Sequence, residues 1–362
     1  WDNFFLSYVT ALFSKDLAYS NIIDHLHGKT ENGFIPNDNR GNGSKSFDRS
    51  QPPVGSIMVK EIYKAYPSEW FLRGVFEDLL AWNRWWKRER NNEGLLSYGS
   101  SPAKNPFHEP VFGTKTAAGY ESGMDDSPMY EGVPYNKNKK TLELQDVGLN
   151  SLFIADCKAL AEMAGILGRD DEKDELLERA EHFSFNMNEL WNDEIGIFLN
   201  YRTDLDAFSK RLSPTIFYPL LAEIVPKQKS VRILDHFYDT TKFYGKWMLP
   251  STSRDDPSFK KQRYWKGAIW PPLNFLTYCS LRKAGYYRAS TELSDKSLNL
   301  FLEEWFRKGF VSENYSSISG TGDASNLSSD RFHSWGTLFG IMSFMEKGYL
   351  PRTETSLIEP EH

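Results

Sequence analysis

Apolar residues recur at helical spacing along almost the whole chain, and this pattern constrains the fold more than any other feature. The clearest examples are residues 68–90 and 145–164. Spacings of three and four residues put apolar side chains on one face of a helix, so each run predicts an amphipathic helix. We expect further helices over 3–15, 16–27, 54–66, 171–190, 205–223, 227–238, 270–285, 287–308 and 331–347. The sequence therefore predicts an all-α protein, in which the alternating segment 196–201 forms a short hairpin arm.

Short and long connections alternate between these helices. The links at 165–170 and 284–287 are short, and the long ones are rich in Gly, Pro, Asn, Asp and Ser. The long connections are 28–53, 91–135, 192–204, 239–270 and 309–330. Loops of this length are uncommon unless they carry function. The alternation is typical of a ring of helical hairpins with a site on one face, and no linker divides the chain. We predict one domain over 1–350, followed by a tail, 351–362.

Composition excludes several classes of protein. The chain has 362 residues, of which 40% are hydrophobic and 25% charged, with a net charge of −6. An acidic balance disfavours nucleic acid as a partner, and no stretch approaches the roughly 20 apolar residues of a membrane span. Cys157 and Cys279 lie inside apolar helical patterns, so we expect buried free thiols. There is no Cys/His cluster with zinc spacing. We therefore predict neither a metal site nor a cofactor.

The chain opens at Trp1 with neither a methionine nor a signal peptide. We therefore expect the numbering to begin inside a longer protein or after a removed leader. The compartment stays open, with the cytoplasm favoured, and the sequence does not determine the oligomeric state.

Aromatic residues are abundant, and several lie beside carboxylates. The chain contains 11 Trp, 18 Tyr and 25 Phe. Such neighbours occur at residues 1–2, 120–126 and 313–315. Aromatic rings stack on the apolar faces of sugars, while carboxylates bind hydroxyls and transfer protons. The sequence therefore predicts a site for a small carbohydrate, with two carboxylates as acid and base.

Three segments carry a resemblance to a known family. They are Glu-Ser-Gly-Met-Asp at 121–125, Tyr-Trp-Lys-Gly-Ala-Ile-Trp-Pro-Pro at 264–272 and Glu-Asn-Tyr at 313–315. Together with Trp-Asp at 1–2 and in this order, they resemble glycoside hydrolase family 63, whose clan includes the trehalases. The first segment is similar to the Glu-Ser-Gly-Trp-Asp stretch around the clan's general acid, and the third to the stretch that holds its general base. The resemblance extends to about residue 348. It implies an (α/α)6 barrel with long loops that build the active site on one face.

The chain also departs from the clan. Met124 replaces a tryptophan of the trehalases, and their Gln-Trp-Asp-x-Pro-x-Gly-Trp segment is missing. The family's amino-terminal β-sandwich is absent, as in compact bacterial members that include hydrolases of mannosylglycerate and glucosylglycerate. In the family, Trp1 and Asp2 would follow a first barrel helix. The barrel is thus expected either to start incomplete or to be completed by residues outside this numbering.

The resemblance implies roles for two carboxylates. Asp125 follows Glu-Ser-Gly-x and is the expected general acid, with Asp126 as its rival. Met124 and Tyr120 are apolar neighbours that would raise the acid's pKa by desolvation. Glu313 is the expected general base, which in an inverting enzyme lies roughly 6.5–9.5 Å from the acid with a water between them.

The expected substrate-binding residues come from all the long loops. They are Trp1, Asp2, Phe5, Arg49, Gln51, Tyr120, Glu121, Gly123, Trp265, Lys266, Gly267, Trp270, Tyr315, His333 and Trp335. Structural alternatives stay open for several of them. Arg49 would either bind a carboxylated aglycone or join its long loop to a neighbouring helix. Glu121 would either bind a sugar hydroxyl or orient the loop that carries the general acid. Trp265 and Trp270 would either line the substrate pocket or pack in the core. For His333 the structural alternative is a hydrogen bond within the protein.

These features predict an inverting, exo-acting α-glycosidase that hydrolyses an α-glucoside or α-mannoside, either an oligosaccharide or a glycosylglycerate. Three alternatives remain. A trehalase-like enzyme would share the clan. A sugar isomerase or epimerase would use paired histidines, which are scarce in these segments. A non-catalytic glycan-binding protein would retain the cleft without turnover.

Overall fold

Helices make up most of the regular structure of the computed structural model, which describes residues 1–103 and 111–351. Within those ranges the α-helices are α1 (Asp2–Thr10), α2 (Lys15–His27), α3 (Gly55–Ala65), α4 (Glu69–Glu89), α5 (Lys115–Glu121), α6 (Val147–Ile166), α7 (Asp170–Met187), α8 (Tyr218–Leu221), α9 (Lys227–Tyr238), α10 (Pro271–Lys283), α11 (Tyr287–Lys308) and α12 (Leu338–Glu346). Short 3-10 turns occur at Pro128–Tyr130, Asn188–Leu190, Pro214–Phe217, Phe259–Lys261 and Ser334–Thr337. The predicted helix-rich class is confirmed. Of the predicted tail 351–362, residues 352–362 lie outside the described residues.

The strands are two residues long and form antiparallel pairs in the connections. The pairs are β1 (Asn91–Asn92) with β2 (Leu95–Leu96), β3 (Tyr135–Asn136) with β4 (Thr141–Leu142), β5 (Trp191–Asn192) with β6 (Ile197–Phe198), β7 (Tyr201–Arg202) with β8 (Ala207–Phe208), and β9 (Ala268–Ile269) with β10 (Tyr315–Ser316). The first four are local hairpins. The β9–β10 pair instead joins two loops that are distant in the chain.

Six of the helices contact one another in circular order. α1 contacts α3, α3 contacts α6, α6 contacts α8, α8 contacts α10, α10 contacts α12, and α12 returns to α1. Nearly all residues of α6 and α10 are buried, whereas α7 and α11 bury only one face. α2, α4, α7 and α11 pack outside this ring. A helix covered on every side is largely apolar, as α6 is, whereas α10 also buries polar side chains such as Asn274, which donates hydrogen bonds to the carbonyls of Leu249 and Trp270.

The two ends of the ring differ in chemistry. The helices α1, α6 and α10 begin next to the long loops, and Asp146 caps α6 by accepting a hydrogen bond from the backbone N–H of Leu149 at 2.8 Å. The opposite end carries charged pairs between helix ends, among them Lys60 with Glu162 and Lys283 with Glu223. Lysines there suit the negative carboxyl ends of the helices. The loops and the chemistry they carry lie at the amino-terminal end of these helices.

One predicted helix is wrong in its first half. Residues 205–223 carry a helical pattern, but Ala207–Phe208 pairs with Tyr201–Arg202 in a hairpin. Helical structure begins only at Pro214, whose ring is compatible with the first turn of a helix and not with its interior. Asp206 has a φ of +51°, which ends any continuous helix at that point. Tertiary turn geometry overrides the pattern here. The hairpin arm predicted over 196–201 is confirmed as two short arms.

Two other helices differ from expectation. α5 lies inside 91–135, which the sequence predicts to be a long loop, and Thr114 caps it by accepting a hydrogen bond from the backbone N–H of Ala117. α12 begins later than the predicted residue 331, because Phe332 has a φ of +59°. Cys157 and Cys279 are buried free thiols, as predicted. Within residues 1–103 and 111–351, no helix combines the length and apolarity that crossing a membrane requires.

Candidate active site

Asp125 lies in the loop that follows α5. The loop turns at Gly123, whose φ is +66°, and a Cβ at that position would lie 2.7 Å from the Trp1 ring. The Oδ2 atom of Asp125 accepts a hydrogen bond from the Tyr264 hydroxyl at 3.3 Å. Burial, with a smaller contribution from the charge of Asp126, raises the pKa of Asp125 to about 6, although the hydrogen bond from Tyr264 lowers it. Asp125 is therefore a carboxyl that retains its proton closer to neutrality than an ordinary aspartate.

Asp126 has a different environment. Its Oδ2 accepts a hydrogen bond from Lys266 Nζ at 2.6 Å, and its Oδ1 accepts one from the backbone N–H of Trp265 at 3.1 Å. Both oxygens are therefore engaged by protein donors, one of them charged. Asp126 joins the 120–126 and 264–272 segments, and its chemistry suits a proton donor less well than that of Asp125.

Glu313 is held by the loop that precedes α12. Its backbone N–H donates to the Asp330 carbonyl at 2.8 Å, and its carbonyl accepts from Trp335 Nε1 at 2.9 Å. Its Oε2 accepts hydrogen bonds from Asn314 Nδ2 at 3.2 Å and from the backbone N–H of Asp330 at 3.3 Å. Burial, together with the nearby charges of Asp330, Asp2 and Asp125, raises the pKa of Glu313 to about 7, although the backbone hydrogen bond from Asp330 lowers it.

The carboxylates of Asp125 and Glu313 influence a common set of groups. The charges of Asp125 and Asp2 raise the pKa of Glu313, and the charge of Asp2 also raises that of Asp125. After burial, the charges of Asp125 and Glu313 both raise the pKa of Tyr264. Burial also lowers the pKa of His333, whose Nε2 lies 3.9 Å from Glu313 Oε1. A neutral imidazole therefore lies beside Glu313. The two loops bring these carboxylates into one electrostatic unit.

A cavity of about 490 Å³ opens beside Asp125. It is lined by Lys115, Thr116, Gly119, Tyr120, Asp125, Asp126, Tyr130, Arg263, Tyr264 and Ser328. Glu313 is not among these residues, although its charge acts on Tyr264, which lines the cavity. Lys115 and Arg263 are exposed, and in the described part of the chain neither side chain has an ion pair or hydrogen bond. Two such cations suit an anionic group of a ligand.

Four tryptophans form a cluster that we call the aromatic floor: Trp1, Trp265, Trp270 and Trp335. The Trp265 and Trp270 rings stack at 3.7 Å and 8°, and the Trp335 ring meets Trp270 edge-on at 5.6 Å. Trp1 lies 6.4 Å from Trp265 and 5.9 Å from Trp335. All four side chains are buried. Trp265 and Trp270 are therefore packing residues in this structure, the alternative that the sequence left open.

Several residues expected to bind substrate hold loops instead. Arg49 is buried, binds both oxygens of Asp48, and lies over the Tyr120 ring at 5.1 Å. Gln51 is buried and donates to the Pro36 carbonyl at 2.8 Å. Of this group only Tyr120 lines the cavity. Arg49 thus supports the loop, whereas Lys115 and Arg263 are exposed cations that line the cavity.

The other residues that the sequence predicts to bind substrate are partly buried in the core and partly exposed. Phe5 and Tyr315 are fully buried, the first against Trp1 and the second with its ring 5.6 Å from Phe339. Asp2 keeps a side chain that is 47% exposed. Gly267 has a φ of +95°, and a Cβ there would lie 2.5 Å from the carbonyl oxygen of Phe259, so its role is a tight turn.

Glu121 is completely buried and accepts four hydrogen bonds from protein donors. These bonds leave it no place on the cavity wall. The second role that the sequence allows, orientation of the acid loop, agrees with this placement.

The sequence reasoning did not select Tyr264, Arg263, Lys115 or Asp330. Tyr264 was visible within the 264–272 segment, and its φ of +52° is a conformation that non-glycine residues adopt at a cost, often at functional sites. Arg263 directly precedes that segment. Lys115 and Asp330 gave no signal, because only the folded loops bring them to the site. Among the described residues, no group of three or more His, Cys, Asp or Glu side chains is arranged to hold a metal ion.

Comparison with known proteins defines the class first. The crystal structure of the GH63 mannosylglycerate hydrolase from Thermus thermophilus in complex with glucose superposes with a TM-score of 0.76, at 20% identity, and covers 95% of this chain and 92% of that one. Neutral trehalase Nth1 from Saccharomyces cerevisiae has a TM-score of 0.76 at 18% identity, over 98% of this chain and 72% of that one. The fold is thus that of these helical glycoside hydrolases.

The family follows from the sequence. Residues 1–335 match the family described as the mannosylglycerate hydrolase MGH1-like glycoside hydrolase domain, and the chain belongs to that family. Mannosylglycerate hydrolase MGH1 of Selaginella moellendorffii is 21% identical, over 89% of this chain and 76% of its own length. The glucosylglycerate hydrolase of Mycolicibacterium hassiacum is 22% identical, over 80% and 81%. The protein is therefore a glycoside hydrolase, as the resemblance to family 63 implied.

Proposed function

We propose that this protein is an inverting, exo-acting α-glycosidase in which Asp125 is the general acid and Glu313 the general base. The observation that carries the proposal is the pair of desolvated carboxyls on two different loops, of which Asp125 accepts a hydrogen bond from Tyr264 and both act through their charges on that tyrosine. Asp125 donates its proton to the glycosidic oxygen as the bond to the anomeric carbon breaks. Glu313 takes a proton from the water that attacks the opposite face of that carbon. The half-exposed Asp2 accepts hydrogen bonds from sugar hydroxyls.

We infer that the helices α1, α3, α6, α8, α10 and α12 form the inner layer of an (α/α)6 barrel. Their circular contacts and the packing of α2, α4, α7 and α11 outside them support this inference. It accounts for the position of the site, since the loops at the amino-terminal ends of the inner helices meet over the aromatic floor.

We further infer that the substrate is an α-glucoside or α-mannoside whose aglycone carries a carboxylate, such as a glycosylglycerate. Lys115 and Arg263 line the same cavity as the acid, and the aglycone is the part of the substrate that leaves from the acid's side. The relatives named above act on mannosylglycerate and glucosylglycerate. A neutral disaccharide such as trehalose would offer neither cation a carboxylate to bind, which disfavours the trehalase alternative.

The decisive experiment is hydrolysis of mannosylglycerate, glucosylglycerate and trehalose, followed by proton NMR from the first minutes. Inversion releases the β-anomer first, whereas an initial α-anomer would refute the inverting mechanism. Asp125→Asn and Glu313→Gln should each abolish most of the turnover. Unchanged rates in both variants would remove the assignment of acid and base. Tight binding without turnover by the wild type would identify a glycan-binding protein.

The carboxylate preference has its own test. Arg263→Ala and Lys115→Ala should raise KM for a glycosylglycerate while leaving KM for the methyl glycoside of the same sugar nearly unchanged. Lys87→Ala removes an exposed lysine from α4 and serves as the matched control. Equal effects of the Arg263 and Lys115 variants on both substrates would contradict the proposed role of these cations.

A further inference from the structure

One ion pair next to the site is completely buried. Arg90 directly follows α4, and Glu121 ends α5. Arg90 Nε donates to Glu121 Oε2 at 2.7 Å and Arg90 Nη2 donates to Oε1 at 2.8 Å, which is the bidentate geometry of a guanidinium with a carboxylate. Both side chains are 0% exposed. The Arg90 guanidinium also lies 4.7 Å from the centre of the Trp85 ring.

The same carboxylate holds two further loops. Glu121 Oε1 accepts a hydrogen bond from the backbone N–H of Ser50 at 2.8 Å, and Oε2 accepts one from the backbone N–H of Gly99 at 2.6 Å. Each oxygen of Glu121 therefore has two donors. The segments around residues 50 and 99 and the helix before the acid loop all meet at a single carboxylate.

The remaining donors of Arg90 are also engaged. Nη2 donates to the Asp48 carbonyl at 3.2 Å, and Nη1 donates to Ser101 Oγ at 3.1 Å and to the Glu89 carbonyl at 3.2 Å. A guanidinium offers five N–H donors, and each has an acceptor here. Lysine has the charge but cannot reproduce this planar set of contacts.

The pair is linked to Asp125 by a short and rigid stretch of chain. Asp125 follows Glu121 by four residues, and its carbonyl oxygen would lie 2.8 Å from a Cβ at Gly119. Trp1 packs in the same way against Gly123. The backbone of Asp125 is thus pressed against α5 on one side, and the turn before it is pressed against the aromatic floor on the other. Because the stretch between Glu121 and Asp125 is held on both sides, we expect a displacement of Glu121 to displace Asp125 as well.

We propose that the Arg90–Glu121 pair is the positioning element of the general acid, which sets the distance of Asp125 from the glycosidic oxygen without touching the substrate. This inference rests on the proposed function. A buried ion pair is weak evidence for a role in stability alone, because desolvation offsets much of its attraction. A carboxylate with four fixed donors defines geometry, and catalytic groups require geometry to within about half an ångström.

Glu121→Gln is the informative variant, since it keeps the size of the side chain. In glutamine, one of the two carboxylate oxygens becomes an amide nitrogen, which cannot accept a hydrogen bond. The two donors that bind that oxygen in the wild type therefore lose their acceptor. We expect kcat to fall by about 100-fold with KM nearly unchanged, because a misplacement of roughly 1 Å costs that much. We also expect the acidic limb of the pH profile of kcat/KM to move to lower pH while the basic limb stays in place, since a displaced Asp125 is better hydrated and the lower of the two limbs follows its ionisation. Arg90→Lys should give the same pattern.

Hydrogen–deuterium exchange supplies a readout that needs no activity. Peptides that cover residues 119–127 should exchange faster in both variants, together with those around residues 50 and 99. Arg179→Lys is the matched control, because Arg179 is a buried arginine on α7 that pairs with Glu175 away from the site. It should lower the melting temperature without changing kcat or the pH profile.

The outcomes are distinguishable. The proposal is overturned if both site variants keep the wild-type kcat and pH profile, if they behave as Arg179→Lys does, or if residues 119–127 exchange at the wild-type rate. Should Glu121→Gln fail to fold, Arg90→Lys decides by the same criteria. A wild type that hydrolyses no α-glycoside would instead refute the proposed function. The exchange data would still establish whether the pair holds the segment of Asp125.

Discussion

Replacement of Glu313 by glutamine should stabilise the protein at alkaline pH and leave its stability nearly unchanged at acidic pH. Burial raises the pKa of Glu313 from 4.5 to about 7. A carboxyl whose pKa is higher in the folded state binds its proton more tightly there than in the unfolded chain. Its contribution to stability is therefore fully present below about pH 4.5 and is lost as the pH rises through about 7. At roughly 1.4 kcal/mol per pKa unit, ionised Glu313 costs the folded state about 3 kcal/mol at pH 8.

Urea unfolding followed by tryptophan fluorescence measures this difference. The free energy of unfolding of Glu313→Gln minus that of the wild type should be about 3 kcal/mol more positive at pH 8 than at pH 4. Glu178→Gln removes an exposed glutamate from α7 and should show no such pH dependence. A difference that is equal at the two pH values would show that Glu313 is as well solvated as a surface glutamate. It would also remove the physical basis for its role beside Asp125.

Three further predictions follow from the site. Asp125→Asn should lower kcat by about 100- to 10,000-fold and Asp126→Asn by much less; a larger loss for Asp126→Asn in steady-state assays would reverse the choice of acid. The pH profile of kcat/KM should be a bell with limbs near 6 and 7, which are the pKa values of the pair; because the pKa of Asp125 lies below that of Glu313, the active form, with Asp125 protonated and Glu313 ionised, is the minor singly protonated form; an optimum above pH 8 would contradict this. Gly123→Ala places a Cβ against Trp1 at a positive φ and should cost about 1–3 kcal/mol in urea unfolding, and a neutral result would show that this turn is not tightly packed.

The sequence predicted the long helices well, and the reason is their pattern. Residues 68–90 and 287–308 carry many apolar positions at constant spacing, and the structure has α4 and α11 there. Residues 205–223 carry a similar pattern that the structure divides into a hairpin and a short helix. Local periodicity does not reveal that Asp206 adopts a left-handed backbone.

The residues of the site also fall into two groups, those that the sequence indicated and those that only the folded structure reveals. Motif order selected Asp125 and Glu313 as the candidate acid and base, a choice that stays a prediction, and in the folded chain the charges of both act on Tyr264. The environment of Arg49 and Glu121 was not predictable, because their partners come from other segments of the chain. Lys115 and Arg263 lie outside the motifs, so only the folded cavity reveals them as candidate anion-binding residues.

The aromatic floor has a consequence for how substitutions of its tryptophans are interpreted. Its four rings are buried and pack on one another, and Trp1 also packs against the turn at Gly123, two residues before Asp125. Removal of one ring would leave a void under that turn. A tryptophan variant that loses turnover therefore reports a disturbed acid loop before it reports a missing contact with the sugar.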